Sequence, residues 1–245
     1  MTEQTVKATT EELGEITLPV EEKALLDKMV ETGVLRGRKH SRTNPKMNPY
    51  IWGTRRGVDI FDLLETMRLL KSAGEFLKTL VDGKKPIFVV CGKPAIKDII
   101  EDFAKKNNFP FVTERYLGGT LTNWKTISKR IETMKKLRME KERGELTRYT
   151  KKERLMLDRK MEKMNTLFSG FENMGGLPAA ILVVDPIEHR TVVHEANLLK
   201  IPVIGIASSD CNPDLVTHLI PANDNSRLSV SFLLAELEKI AQSAK

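Results

Sequence analysis

Three short runs of uninterrupted apolar residues constrain this chain most: Pro86-Ile-Phe-Val-Val90, Ala179-Ala-Ile-Leu-Val-Val184 and Val203-Ile-Gly-Ile206. A strand with one wet face alternates apolar and polar side chains, whereas a strand covered on both faces is apolar throughout. These runs therefore demand layers above and below a common sheet. Helical periodicity fills the intervals. Asp62 precedes an amphipathic stretch through Leu63, Leu64, Met67, Leu70, Ala73, Phe76, Leu77 and Leu80 that stops at Gly83. A helix from Pro94 to Asn107 leads to a short strand at Phe111, Val192 to Leu199 supply another helix, and a last amphipathic helix starts near Ser226. Strands alternating with helices over short joints make parallel sheets. The expectation is one α/β domain over residues 18–121 and 171–245, three-layered and doubly wound, with a mainly parallel, flavodoxin-like sheet.

Between the two parts of that domain the pattern changes. Arg115-Tyr-Leu-Gly-Gly-Thr-Leu-Thr-Asn-Trp-Lys leaves the strand at Phe111, turns on Gly118 and Gly119 and enters a long charged helix, for which Thr120 or Thr122 offers a capping hydroxyl. Trp124, Ile127, Ile131, Met134 and Leu137 recur at helical spacing until a break at Gly144. Thr150-Lys-Lys-Glu153 then has the capping-box pattern, and Leu157, Met161, Met164 and Phe168 repeat the stripe. Residues 122–170 are expected to form an inserted antiparallel helical hairpin, packed along a narrow seam and standing mostly clear of the domain. At the other end, Met1 to Thr17 is polar and expected to be a flexible tail. A short helix follows Pro19, with Leu25, Leu26, Met29 and Val30 on one face.

Charge separates the possible functions. The chain has 245 residues and a net charge of +7, but the excess is local. From Arg36 to Arg56 there are seven basic residues and no acid, and Lys135 to Lys163 carries a net +6 from twelve basic and six acidic residues. Basic charge focused in this way points to a polyanion. Gly33 to Pro49 reads as a Gly- and Pro-broken loop able to grip phosphates. Tyr50-Ile-Trp52 and Val58-Asp-Ile-Phe61 read as strands around a turn that exposes Arg55 and Arg56; Trp52 has the chemistry to stack on a base, but a lone Trp beside a strand reads as core. The expected RNA-binding set is Arg36, Arg38, Lys39, Arg42, Lys46, Arg55 and Arg56, joined by Arg115, Lys125, Lys129 and Arg130.

Other chemistry finds little support in the residues. Cys91 and Cys211 lack any Cys-x-x-Cys or neighbouring His pair, so neither a disulfide framework nor a metal site is expected. His189 and His194 are five apart, about 140° around a helix, and with Asp185 read as solvated residues; His40 reads as a solvated loop side chain. Asp210, Asp214 and Asp224 belong to no partner motif. Cys91-Gly-Lys-Pro94 follows a strand but has neither phosphate-binding fingerprint, so it reads as a structural turn. No cofactor, catalytic residue or small-molecule substrate is expected. With no apolar run of membrane length and no leader, the expectation is a cytoplasmic protein without a membrane partner.

Several segments together resemble the bacterial small-subunit ribosomal protein S2 family. They are Glu114-Arg-Tyr-Leu-Gly-Gly-Thr-Leu-Thr-Asn-Trp-Lys-Thr-Ile127, Asn44-Pro-Lys-Met-Asn-Pro-Tyr-Ile51 with Gly57-Val-Asp-Ile-Phe-Asp-Leu63, the stretch from Pro178 to Pro202, and Asp210-Cys-Asn-Pro-Asp-Leu215 with Ile220-Pro-Ala-Asn-Asp224. They occur in the family's order and span residues 25 to 235. The chain departs from the pattern at Gly33-Val-Leu-Arg-Gly-Arg-Lys-His40, where the family has a Gly-Val-His-Phe-Gly-His-like run. The resemblance implies a non-enzymatic constituent of the small ribosomal subunit that binds small-subunit rRNA, neighbours other small-subunit proteins and supports assembly and translation. It also implies a part in attaching the large protein that captures mRNA, with the apolar residues of the N-terminal helix as the contact. The alternative is a sugar-phosphate or nucleotide-binding enzyme on the same kind of sheet.

Overall fold

The computed structural model describes residues 19–242; the expected tail, Met1 to Thr17, lies outside them. Five strands, β4 (Ile87–Val90), β5 (Phe111–Val112), β6 (Ala180–Val184), β7 (Val203–Ala207) and β8 (His218–Pro221), form one sheet in the order β5-β4-β6-β7-β8. Every neighbouring pair is parallel. β4, β6 and β7 are buried residue by residue, as their unbroken apolar runs require.

Helices cover both faces. Ile87, Val89, Leu182 and Ile204 project into a core shared with α1 (Val20–Glu31), α2 (Leu63–Asp82), α3 (Lys97–Lys106) and α7 (Arg227–Gln242). Phe88, Val90, Ile181 and Val183 project into the other, shared with α4 (Trp124–Glu142) and α6 (Arg190–Leu198). This arrangement is compatible with the expected doubly wound α/β fold. Asp62 caps α2 as expected, its Oδ1 accepting from the N–H groups of Leu64 and Glu65 at 2.9 and 3.3 Å. Leu26 and Met29 of α1 are buried in the first core. Of the expected apolar stripe of that helix, Leu26 and Met29 thus belong to the domain's own core, while Leu25 and Val30 are half-buried against it.

The basic segment is more regular than expected. Arg36–Lys39 is a strand, β1, and it pairs antiparallel with β3 (Val58–Phe61), which also pairs with β2 (Ile51–Arg55). The backbone partner that makes β1 a strand lies about twenty residues away, so local propensity could not reveal it. β2 and β3 are joined through Arg56 and Gly57, both at positive φ (52° and 73°), the pattern of a two-residue hairpin turn whose twist matches that of the strands.

α4 and α5 (Lys151–Phe168) lie alongside each other, linked by Lys141 to Asp158 at 2.6 Å and by Arg138 to Asn165 at 2.8 Å. Gly144 breaks the chain at φ 72°, and Thr150 with Glu153 forms the expected capping box. The near ends of both helices are not clear of the body. Ile127, Ile131, Met134 and Phe168 are buried in the same core as Phe88 and Val183, whereas Met139, Leu155 and Met156, farther out, are exposed.

The junction entering α4 is held by a group that the sequence did not single out. Glu195, on α6 and only 6% exposed, accepts from the N–H of Gly119 at 2.7 Å, from those of Leu121 and Thr122 at 3.1 Å, and from the Thr122 hydroxyl at 3.1 Å. Burial alone would raise its carboxyl pKa, but these donors outweigh burial and hold it below the usual range. Neither threonine caps α4: the Thr120 hydroxyl donates to the Leu117 carbonyl and that of Thr122 to Glu195. Of the two glycines, only Gly119 has positive φ, 86°; an added Cβ at Gly118 would meet nothing closer than Thr191 at 3.7 Å. Gly119→Ala is expected to cost about 1–2 kcal/mol of stability in thermal melting, and Gly118→Ala distinctly less. Equal losses would contradict this division of roles.

Candidate nucleic-acid interface

The three-stranded sheet lies against the carboxyl ends of the parallel strands, and Arg38 fastens it there. From β1, the Arg38 guanidinium reaches Asp185 at 3.3 Å, Asp224 at 3.3 Å and Asp210 at 3.5 Å, while its backbone N–H donates to the Ser209 hydroxyl at 3.0 Å. Lys93, following β4, meets Asp185 at 2.7 Å and Asp224 at 3.2 Å. His189 is buried and its Nε2 accepts from the Gly92 N–H at 2.7 Å; burial lowers its pKa and favours this neutral form. Asp185 and His189 are thus structural groups of the interior, not the solvated residues expected; His194 is exposed, as expected. Asp210 and Asp224 also gain partners that no local motif announced.

This cluster occupies the crevice between the carboxyl ends of β4 and β6. The chain leaves β4 toward β5 on one side and returns to β6 on the other, so this is the switch point at which open α/β sheets place their ligands. Here it is filled by the chain's own charges. Burial and the Asp185 charge push Asp224 up to about 6. Asp185 is held below its ordinary value because Lys93 outweighs the effect of burial. The two cysteines are buried and free, and burial pushes their thiols up to about 11 for Cys91 and about 12 for Cys211, so neither is a ready nucleophile or ligand.

A second buried acid holds the small sheet itself. Asp59 on β3 is fully buried and takes hydrogen bonds from the Thr43 hydroxyl, from Thr54 at 2.9 Å and from His40 Nδ1 at 2.8 Å. Burial pushes its pKa up, but these bonds outweigh it, and the carboxyl lies below its usual range. His40 is therefore a partner of Asp59 and not merely a solvated side chain. An acid flanked by Val58, Ile60 and Phe61 was the available sign of such an inward-facing group.

With Arg38 and Asp59 holding the inner side, the remaining cations point elsewhere. Cross-strand pairing places Arg36 opposite Ile60, and both Lys39 and Arg55 opposite Val58, which sets these three cations on the face away from Asp59 and Thr54. Arg36, Lys39, Arg42, Arg55 and Arg56 are exposed, and among the described residues none has an acidic partner within ion-pair distance. Lys46 is also exposed, but it pairs with Asp214. Arg115, Lys125, Lys129 and Arg130 form a separate exposed group at the junction and along α4. Trp52 is 52% exposed, which corrects its expected place in the core. The pairing of β2 with β3 shifts between Ile51 and Gly53, leaving Trp52 as an extra residue turned toward solvent.

The family profile of ribosomal protein S2 matches residues 29–244, nearly the whole of the described chain. The chain belongs to the ribosomal protein S2 family. It is 40% identical over 214 residues to the small ribosomal subunit protein uS2 of Roseiflexus sp., covering 87% of this chain and 81% of that protein. The uS2 protein of Sorangium cellulosum is 38% identical over 224 residues, 91% of this chain and 78% of its own length. The uS2c protein of Emiliania huxleyi is 39% identical over 212 residues, 86% and 93% respectively. Membership makes the chain a structural component of the small ribosomal subunit, working in translation and not as an enzyme. Among the described residues no helix is long and apolar enough to cross a membrane.

Within this S2-family chain the inner and outer cations should behave differently. Removing Arg38 leaves Lys93 to offset Asp185 and Asp224 and strips Asp210 of its partner, so Arg38→Ala should lower stability by about 3 kcal/mol. Arg36→Ala and Lys39→Ala should remain within about 0.5 kcal/mol of the parent. Because Asp224 takes up its proton near pH 6, the Arg38→Ala deficit should be larger at pH 7.5, with that acid charged, than at pH 5. Thermal melting at the two pH values tests this; a deficit independent of pH would mean that repulsion among the acids is not its cause.

Proposed function

We propose that this chain binds small-subunit rRNA through Arg36, Lys39, Arg42, Lys46, Arg55 and Arg56, with Arg115, Lys125, Lys129 and Arg130 as a second contact. The observation that carries this reading is that Arg36, Lys39, Arg42, Arg55 and Arg56 are exposed and have no acidic partner among the described residues, on and beside a sheet whose inner side is fixed by ion pairs to buried acids. Cations left unpaired in the free protein suit a surface whose counter-charge arrives with the partner. Arg38, included in the expected set, contributes by holding the sheet; its guanidinium is already surrounded by carboxylates.

Residues 122–170 fit the role of an inserted antiparallel hairpin, rooted in the body through Ile127, Ile131 and Phe168 and free farther out. Its outer part, with Met139, Leu155 and Met156 exposed among many cations, suits docking during assembly. In this reading the chain supports subunit assembly and the attachment of a neighbouring mRNA-capturing protein. The sugar-phosphate alternative loses ground because Arg38 and Lys93 already neutralise acids in the crevice where such a ligand would sit.

The test is affinity of the full chain for small-subunit rRNA as a function of salt. With six to ten phosphate contacts, binding should weaken by about three to five powers of ten between 50 and 200 mM salt. Changing Arg36, Lys39, Arg55 and Arg56 together to Ala should flatten the log–log slope by about three to four with melting unchanged. An unaltered slope would remove the sheet from the interface. Replacing residues 138–158 by a short Gly-Ser linker should leave a cooperatively folding domain that enters small subunits poorly; full incorporation would remove the docking role.

A further inference from the structure

We propose that the outward face of the β1-β3-β2 sheet is a platform for unpaired RNA bases, with Trp52 as the stacking residue and Arg36, Lys39 and Arg55 holding the flanking phosphates. This rests on the rRNA-binding reading and specifies the RNA that the face takes.

Three observations converge on it. First, Trp52 occupies the irregular position of β2 and is more than half exposed, so its indole serves neither core. A large aromatic side chain turned into water loses the burial that favours such a residue, unless a partner restores it. Second, the neighbouring residue is Gly53, where the fold does not require glycine: its φ is not positive, and an added Cβ would meet nothing within 4 Å. The step beside the indole is therefore open, with Ile60 half-buried opposite Gly53. Third, the face carries three cations, and none has an acidic partner among the described residues. An apolar protein surface laid here would bury those charges unpaired, whereas phosphates would satisfy them.

An aromatic on an open sheet face, ringed by cations, can stack a base on the indole while the charges grip the backbone on either side. A double-helical RNA cannot use it fully. Its bases are already stacked on one another and present no free ring face to a side chain. The partner that uses both the indole and the charges is a single-stranded loop, bulge or end.

The experiment uses the full chain with Trp124→Phe, which leaves Trp52 as the sole tryptophan of the two in the sequence. A ten-nucleotide single-stranded RNA should quench Trp52 emission on binding; a duplex of the same length should bind through its phosphates with little quenching. By filter binding at fixed salt, Trp52→Ala should weaken single-strand binding about tenfold with an unchanged salt slope, and Trp52→Phe should keep most of the affinity. Duplex affinity should be the same in all three. Full single-strand affinity in Trp52→Ala, or equal quenching by the duplex, would overturn the platform while leaving phosphate-mediated RNA binding intact. Failure of both RNAs to bind the parent chain would overturn the rRNA reading as well, and failure of the single strand alone would overturn the platform. In assembled subunits, a blue-shifted and unquenched indole would show that a protein covers the face, and would also overturn the proposal.

Discussion

The placing of the basic surface depends on one half-buried constellation, the Arg38 guanidinium among the carboxylates of Asp185, Asp210 and Asp224, with Lys93 on the far side. Those acids follow three different parallel strands, and Arg38 belongs to none of them. The contact therefore joins two sheets that share no backbone pairing. The buried carboxylates of Asp185 and Asp224 carry a desolvation penalty that partners of opposite sign must offset, which ties the small sheet to one position. The pairing of β1 with β3 shifts between Arg36 and Lys39, and this irregularity lets Arg38 face inward while Arg36 and Lys39, with Arg55 of β2, take the other side. Ion pairs to buried acids thus orient an exposed basic face.

Glu195 performs a comparable task for α4. One carboxylate satisfies three amide donors and a hydroxyl in the turn at Gly119, so the helix leaves the domain in a defined direction without a cap of its own. Asp59 does the same for the loop carrying Thr43 and His40. At both points a buried acid takes donors from an irregular segment, and hydrogen bonds hold its pKa below the usual range despite burial. Fixed loops lose less freedom when they bind, which suits the rRNA-binding role proposed for this surface.

What was legible in the sequence follows from the range of each interaction. The parallel strands were visible because burial on both faces writes itself into consecutive residues, and the Asp62 cap and the Thr150–Glu153 box because their partners lie within three positions. β1 was not visible: Arg-Gly-Arg-Lys has no strand pattern, and its hydrogen bonds come from β3. The Arg38 cluster joins residues 147 and 186 positions apart, a separation that no local pattern encodes. Trp52 was misplaced because one extra residue in a strand changes the face toward which a side chain turns. The basic residues themselves were legible as a set; which of them fasten the fold and which remain free was not.

The most direct test of the account is ultraviolet cross-linking of intact small subunits containing the full chain, with peptides bearing RNA adducts located by mass spectrometry. If the outward face of the small sheet meets rRNA, adducts should concentrate between Arg36 and Arg56, with Trp52 among the modified residues and the Asp185 to His189 turn unmodified. Adducts confined to α4 and α5, with residues 36–56 bare, would contradict it.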